Sequence, residues 1–242
     1  MMRRQHGFTL VEIAIVLAIV GLLLGGLLVP LSAQVDSQRN SETVKTLNDI
    51  REALTGFALA NGRLPCPADP TVPSGTAGAG VERASCNTGN NMHGVVPWTT
   101  LGVPETDAWG RRYTYRVASA FADPIASATY GAGCTPTTTP TQSSFALCSP
   151  GDITVTDGAV NIATNVPAVI VSHGKNGLGA YTSAGIPLPA STDPGELDNS
   201  TIEASLPYTF VSHAFTPTFD DQVVWISINI LINRMVAAQK LP

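Results

Sequence analysis

A single carboxylate, Glu12, sits in the otherwise uncharged apolar run from Phe8 to Leu31, with Arg3, Arg4 and Gly7 just before it. Burying a carboxylate at depth in a bilayer costs about 2.5–3.5 kcal/mol. A simple anchor has no use for such a group, so Glu12 requires a partner, and that partner implies a function. Other side chains that could do chemistry are less well placed. Ser172 and His173 are adjacent, but neighbouring strand residues point to opposite faces, and no G-x-S-x-G elbow or convergent acid and base accompanies them. Gly174–Gly177 reads G-K-N-G, which lacks the spacing of a phosphate-binding loop and predicts a turn. No catalytic residue is assigned and no enzymatic activity is expected.

The element that must position Glu12 is a helix. Residues 8–29 would span roughly 33 Å at 1.5 Å per residue, enough to cross a hydrocarbon core once. The run is too long for a secretory signal, and no A-x-A-like site follows Pro30; the remaining cleavage point lies before the run, at Gly7. Arg3, Arg4 and His6 favour a cytoplasmic N-terminus, which places everything after Leu31 outside. Cys66, Cys86, Cys134 and Cys148 then lie in an oxidising compartment. With no C-x-x-C pair and no histidine at ligand spacing, they predict two disulfides in preference to a zinc site. Sequence proximity favours Cys66 with Cys86 and Cys134 with Cys148, although four cysteines allow three connectivities.

The short basic leader, Gly7, and F-T-L-V-E from Phe8 to Glu12 resemble the type IV pilin-like proteins, which include pilins and the pseudopilins of type II secretion. The resemblance implies cleavage between Gly7 and Phe8 by a membrane prepilin peptidase, followed by N-methylation of Phe8. It also supplies the partner of Glu12, because cutting at Gly7 creates a cationic amine on Phe8 at the same membrane depth. In the family this pair joins neighbouring subunits. Breaking a buried pair costs about 3–5 kcal/mol, so charge matching enforces register during assembly. Gly21 matches the family's helix-breaking glycine, whereas Pro30 lies one residue later than is typical. With Gly25 and Gly26 they predict either a pliable middle or a kink where the helix leaves the membrane.

Beyond the apolar run, Val44, Leu47, Ile50, Leu54 and Phe57 recur at intervals of three and four, predicting an amphipathic continuation whose stripe faces a globular head. Asn61 and Gly62 end the helix, and Pro65 and Pro67 prevent its return. The expected organisation is a cytoplasmic leader (1–7), a transmembrane and filament-core helix (8–31), an amphipathic continuation (32–60) and a periplasmic or extracellular head (61–242). The fold class is α+β, a long N-terminal helix packed on an antiparallel sheet with disulfide-stapled loops. Strands are predicted at Arg112–Ala118, Ile153–Thr156, Ala168–Ser172, Tyr208–Ser212 and Val223–Asn229, surface loops at 70–94 and 131–150, and a short helix at Ile230–Gln239. Three stretches resemble major pseudopilins: A-N-G-R-L-P at 60–65, D-A-W-G-R-R-Y-T-Y-R-V at 107–117 and V-I-V-S-H-G-K-N-G-L-G at 169–179. Physically, Gly110 supplies a turn, Trp109 packs on the sheet, and Tyr113, Tyr115 and Val117 alternate onto one face.

Major pseudopilins hold calcium in a loop after that Gly-rich turn. Here Asp193, Glu196, Asp198, Asp220 and Asp221 lie downstream as oxygen donors. Asp193, Glu196 and Asp198 are the calcium candidates, with solvated loop carboxylates as the alternative and no other cofactor expected. A net charge of −5 disfavours nucleic acid in general. Arg111, Arg112, Tyr113, Tyr115 and Arg116 form a basic, aromatic cluster that reads first as strand packing with solvated arginines, and as the alternative could touch DNA in an uptake pilin. The resulting expectation is a structural subunit of a type II secretion pseudopilus or a type IV pilus, stored in the inner membrane with its head in the periplasm. Its expected partners are other pilin or pseudopilin subunits, the prepilin peptidase, an assembly ATPase, a membrane platform and, before assembly, lipid. The alternatives are a monomeric membrane-anchored binding domain or adhesin, and a minor pilin for DNA uptake.

Overall fold

Helix α1 runs from Leu10 to Asn61 in the computed structural model, which describes residues 9–86, 89–122, 142–201 and 208–241, without the side chains of 24–31 and 89–90. The chain divides into one unit over Met1–Ser41 and another over Glu42–Pro242. In the first unit the backbone stays helical through Gly21, Gly25, Gly26 and Pro30. The large apolar side chains from Leu10 to Leu23 are all exposed.

In the second unit α1 buries Thr43, Leu47, Ile50, Leu54 and Ala58. The stripe holds at its centre and differs at its ends. Burial follows the four-residue ridge to Thr43 and Ala58, which leaves Val44 47% exposed and Phe57 half-buried beneath the Arg63 guanidinium, 5.5 Å from its ring centroid. Gly62 ends the helix with φ +72°, a left-handed conformation that glycine adopts without steric cost. Its N–H donates to the Ala58 carbonyl at 2.8 Å, satisfying one of the last free acceptors.

The head contains a four-stranded antiparallel sheet in the order β1 (His93–Val95), β3 (Thr114–Val117), β6 (Ala168–Ser172), β9 (Gln222–Ile226). A second sheet has the order β5 (Asn161–Val166), β4 (Ile153–Thr156), β8 (Tyr208–Val211), and a two-stranded ribbon joins β2 (Arg111–Arg112) to β7 (Tyr181–Thr182). The sheets are antiparallel except that β4 and β8 pair in parallel. Short helices α2 (Trp98–Leu101), α3 (Ser119–Ala122) and α4 (Pro194–Ser200) lie in the connections, and α5 (Ile228–Ala237) follows β9.

The apolar sequence of β6, A-V-I-V-S, is buried at every position. Ala168 and Ile170 join a core with Leu47, Ile50, Leu54 and Ile226, while Val169 and Val171 join another with Ile153, Val155, Val166 and Phe210. Tyr113, Tyr115 and Val117 all belong to the helix-side core, as their alternation requires.

Several boundaries differ from those expected. The stretch Arg112–Ala118 divides at Tyr113 into β2 and β3, which belong to different sheets. The strand expected over Val223–Asn229 ends at Ile226, and Ser227 opens α5. Strands β1, β5 and β7 carry too little apolar alternation to be read from sequence. Residues 143–146 do not form a surface loop: all four are buried, and the Phe145 ring lies 4.7 Å from that of Phe121. Cys66 and Cys86 are joined, and Cys148 is disulfide-bonded; Cys134 lies outside the described residues.

Leu54 has no exposed surface and sits at the centre of the helix-side core. Leu54→Ala should therefore lower head stability by about 2–5 kcal/mol, through lost transfer energy and the cavity left behind. Chemical denaturation of the full chain in detergent, followed by tryptophan fluorescence, measures this.

Candidate functional site

Strand β6 delivers the buried pair Ser172 and His173 into the Gly-rich turn. The pair is consumed structurally, in different directions. Ser172 Oγ donates to Asp107 Oδ2 at 2.7 Å, while His173 Nε2 lies 2.8 Å from Thr114 Oγ1. Asp107 Oδ1 meanwhile accepts from the N–H groups of Trp109 and Arg111 at 2.9 and 3.0 Å, so the D-A-W-G segment is a side-chain-organised turn tied to β6. Gly174 follows at φ +55°, and a Cβ there would run into Asp220.

That contact marks an acidic cluster. Register pairs Ser172 with Gln222, which brings the preceding Asp220 and Asp221 beside the end of β6. Asp193 caps α4 from the other side, its Oδ1 accepting from Gly195 N at 2.9 Å and Glu196 N at 3.5 Å. Its other oxygen accepts the Thr218 hydroxyl at 2.8 Å, which holds its carboxyl below the usual range. The cap directs Glu196 inward. Oxygens of Glu196, Asp220 and Asp221 lie within 4.8 Å of one another. Glu196 Oε1 accepts from Asn176 Nδ2 at 2.8 Å and Asp220 N at 2.9 Å, and its Oε2 accepts from Ser191 Oγ at 2.7 Å. Asp221 Oδ2 accepts from Asn199 Nδ2 at 2.9 Å, and His173 Nδ1 stands 3.4 Å from Asp221 Oδ1. Asp220 Oδ1 and Asp221 Oδ1 have no hydrogen-bond partner.

Buried oxygens with open lone pairs are the donor set a hard divalent cation takes. Of the three sequence candidates, Glu196 belongs to this set; Asp193 is the cap of α4, and Asp198 stands apart, its pKa raised by burial. Asp220 and Asp221 complete it. Their signal in the sequence was an adjacent acidic pair immediately before an apolar strand.

The basic aromatic cluster is buried except at Arg111. Arg112 is fully buried, donating to Pro70 O at 2.8 Å, Glu105 Oε1 at 2.9 Å and Ser183 O at 2.9 Å, with its guanidinium 4.6 Å from the Trp98 ring centroid. Arg116 is buried 3.2 Å from the Tyr208 ring centroid. Tyr113 and Tyr115 are core residues, Tyr115 donating to Pro65 O at 3.1 Å. Arg111 is half-exposed and reaches Gly174 O at 3.3 Å.

At the other end of the chain Thr9 and Glu12 form a capping box. Glu12 N donates to Thr9 Oγ1 at 3.3 Å, and Thr9 N donates to Glu12 Oε2 at 3.4 Å. Gly7 and Phe8 lie outside the described residues. Among the described residues no helix is long and apolar enough to cross a membrane.

The prokaryotic N-terminal methylation motif matches residues 2–28. Toxin coregulated pilin of Vibrio cholerae is 37% identical over 70 residues, a segment covering 29% of this chain and 31% of that pilin. No solved structure matches the chain. The motif and the pilin-like stretch each cover less than a third of the chain. Its α+β architecture, an N-terminal helix packed on antiparallel sheets with the Cys66–Cys86 disulfide, agrees with a pilin fold.

Burial, followed by the charges of Glu196 and Asp221, pushes Asp220 from the ordinary 3.8 up to about 6, against the opposing Asn176 N–H. An acid with a raised folded pKa penalises the fold once ionised; the penalty is absent below pH 3.8 and fully present above about pH 6. Asp220→Asn, which keeps an oxygen for Asn176, should therefore melt above wild type near pH 7.5 in chelator and converge with it near pH 3.5. Melting temperature against pH measures this.

Proposed function

We propose that the chain is a structural subunit of a type IV pilus, cleaved after Gly7, N-methylated on Phe8 and assembled through helix packing. The observation that carries this reading is the methylation motif over residues 2–28, with Glu12 as the single charge in its apolar run. Before assembly the run from Phe8 to Leu31 holds the subunit in the inner membrane, the head lying in the periplasm. On assembly its apolar surface exchanges lipid for neighbouring helices, and Glu12 pairs with the Phe8 amine of the adjacent subunit. A prepilin peptidase, an assembly ATPase and a membrane platform are the partners this requires.

The pilin relative favours a pilus over a secretion pseudopilus. The pseudopilus remains the second reading because of the D-A-W-G turn, the Gly-rich turn and the acidic cluster. On either reading Glu196, Asp220 and Asp221 would hold a divalent cation such as calcium. The bound charge would offset their mutual repulsion and fix α4 against the start of β9.

Replacing Gly7 with valine should leave the leader attached, as an N-terminal mass shift in membrane extracts will show; wild-type processing would refute the cleavage site. Glu12→Val removes both the charge and the capping box, whereas Glu12→Gln preserves the reach to Thr9 and removes only the charge. Both variants should insert into the membrane, yet incorporate into filaments more than about 10-fold less than wild type if a buried pair is broken. Sheared-filament immunoblots report incorporation, and wild-type levels for Glu12→Gln would exclude charge pairing as the assembly signal.

A further inference from the structure

Among the described residues β9 and β5 are each the last strand on one side of the two main sheets of the head, with no further strand paired beyond them. The edge of β9 opens into a groove of about 330 Å³, lined by Val224, Trp225 and Ile226 and bordered by Ile230, Arg51 and Arg234. Ile230 is 56% exposed. Arg234 donates to Glu52 at 2.6 Å and Arg51 stands 4.0 Å from the same carboxylate, so two guanidinium groups share one acid and the border is net positive. The chain as a whole is acidic, at −5.

Strand β5, N-I-A-T-N-V, carries neither charge nor proline, the usual guards of an exposed edge. Ile162 on it and Val160 just before it are 47% and 62% exposed. The turn leading into β5 presents Asp157, an exposed acid whose Oδ1 accepts from Ala159 N and Val160 N at 2.8 Å, leaving its other oxygen directed elsewhere.

We propose that β5 of one copy adds to the edge of β9 in a second copy, with Ile162 on the apolar floor of the groove and Asp157 facing Arg51 and Arg234. Each need of one surface is met by the other: strand edge to strand edge, apolar side chain to apolar floor, acid to basic border. Backbone pairing gives such a contact its affinity, and alternate side chains give it specificity. Because two different surfaces of one head are joined, the contact is heterologous, and it can propagate from copy to copy instead of closing as a two-fold dimer. The inference rests on the filament-subunit reading above and adds a head-to-head contact to it.

Photo-crosslinking of the full-length chain in its native membrane tests this. A photoreactive residue at Ile162 should give a dimer whose linked peptide falls within Gln222–Arg234, and one at Ile230 should return the hairpin containing Asp157. Ile162→Lys should reduce the product formed from Ile230 more than about 10-fold. Asp157→Asn, which keeps the local turn, should reduce it about 2- to 5-fold, the range of an exposed ion pair. Retained protease resistance of the head separates these losses from misfolding. Multimers that form at wild-type levels but crosslink elsewhere would overturn this contact and leave the filament reading standing. A different protein captured at Ile230 would overturn the second copy as occupant. A wild-type chain that forms no multimers at all would overturn the filament reading itself.

Discussion

Ala168 to Ser172 offers no side to solvent: Ala168 and Ile170 pack toward α1, while Val169 and Val171 pack toward the second sheet. A strand buried on both faces must be covered on both, and the head is arranged to do so. Residues 47–58 of α1 and Leu231 and Met235 of α5 cover one face, and the β5, β4, β8 sheet covers the other. Burial of this kind removes apolar area from water at about 25 cal/mol per Å², which gives the layered packing its driving force. Neighbouring β3 accepts the same constraint with polar residues. Thr114 and Arg116 point away from α1, and are reconciled with burial by His173 and by the Tyr208 ring. Nearby His93 shows the cost of that environment: burial, then the charge of Arg116, pushes its pKa down to about 3.

The acidic cluster is a consequence of the same strand. Antiparallel pairing of β6 with β9 fixes where Asp220 and Asp221 emerge, and the Asp193 cap fixes where Glu196 points. Burying carboxylates together is costly unless donors or a cation compensate. Asn176, Ser191 and Asn199 supply donors to every oxygen except Oδ1 of Asp220 and of Asp221. Of those two oxygens, Asp221 Oδ1 faces His173 Nδ1 at 3.4 Å, which leaves Asp220 Oδ1 as the less compensated one.

Much of this was legible in the sequence where one physical signal dominated. Ile153–Thr156 and Ala168–Ser172 have the expected bounds because β-branched residues fill the first and the centre of the second, with Asp157 after one and Pro167 and Gly174 flanking the other. The end of α1 was legible from Asn61 and Gly62. Strand β5 was not, because its burial comes only at Val166 and its outer residues face solvent. Grouping Glu196 with Asp220 and Asp221 was also beyond a linear reading, since no local spacing encodes a contact made by strand register. The basic cluster was legible only in part, for a related reason. Arg112 looks like a solvated cation in sequence, yet the fold surrounds it with carbonyl groups and an indole, which a guanidinium satisfies better than any other side chain.

Glu12 connects the reading of the N-terminus to its geometry in a way the motif alone does not. A carboxylate at the third helical position naturally folds back on the N-cap, and here it reaches the Thr9 N–H. On the filament reading this lowers the cost of holding Glu12 in lipid before assembly, because the charge interacts with free N–H groups and the positive end of the helix dipole. The same geometry directs the carboxylate toward the chain terminus that cleavage after Gly7 would create. An amine on Phe8 would then stand one residue before the cap, available to its own Glu12 or to that of a neighbour. Intersubunit pairing must therefore outcompete an intramolecular partner at high effective concentration, which the charge pair alone does not guarantee. On the filament reading helix packing and contacts between heads would supply the rest, and for that reason the edge strands of the head bear on how the N-terminal charge is used.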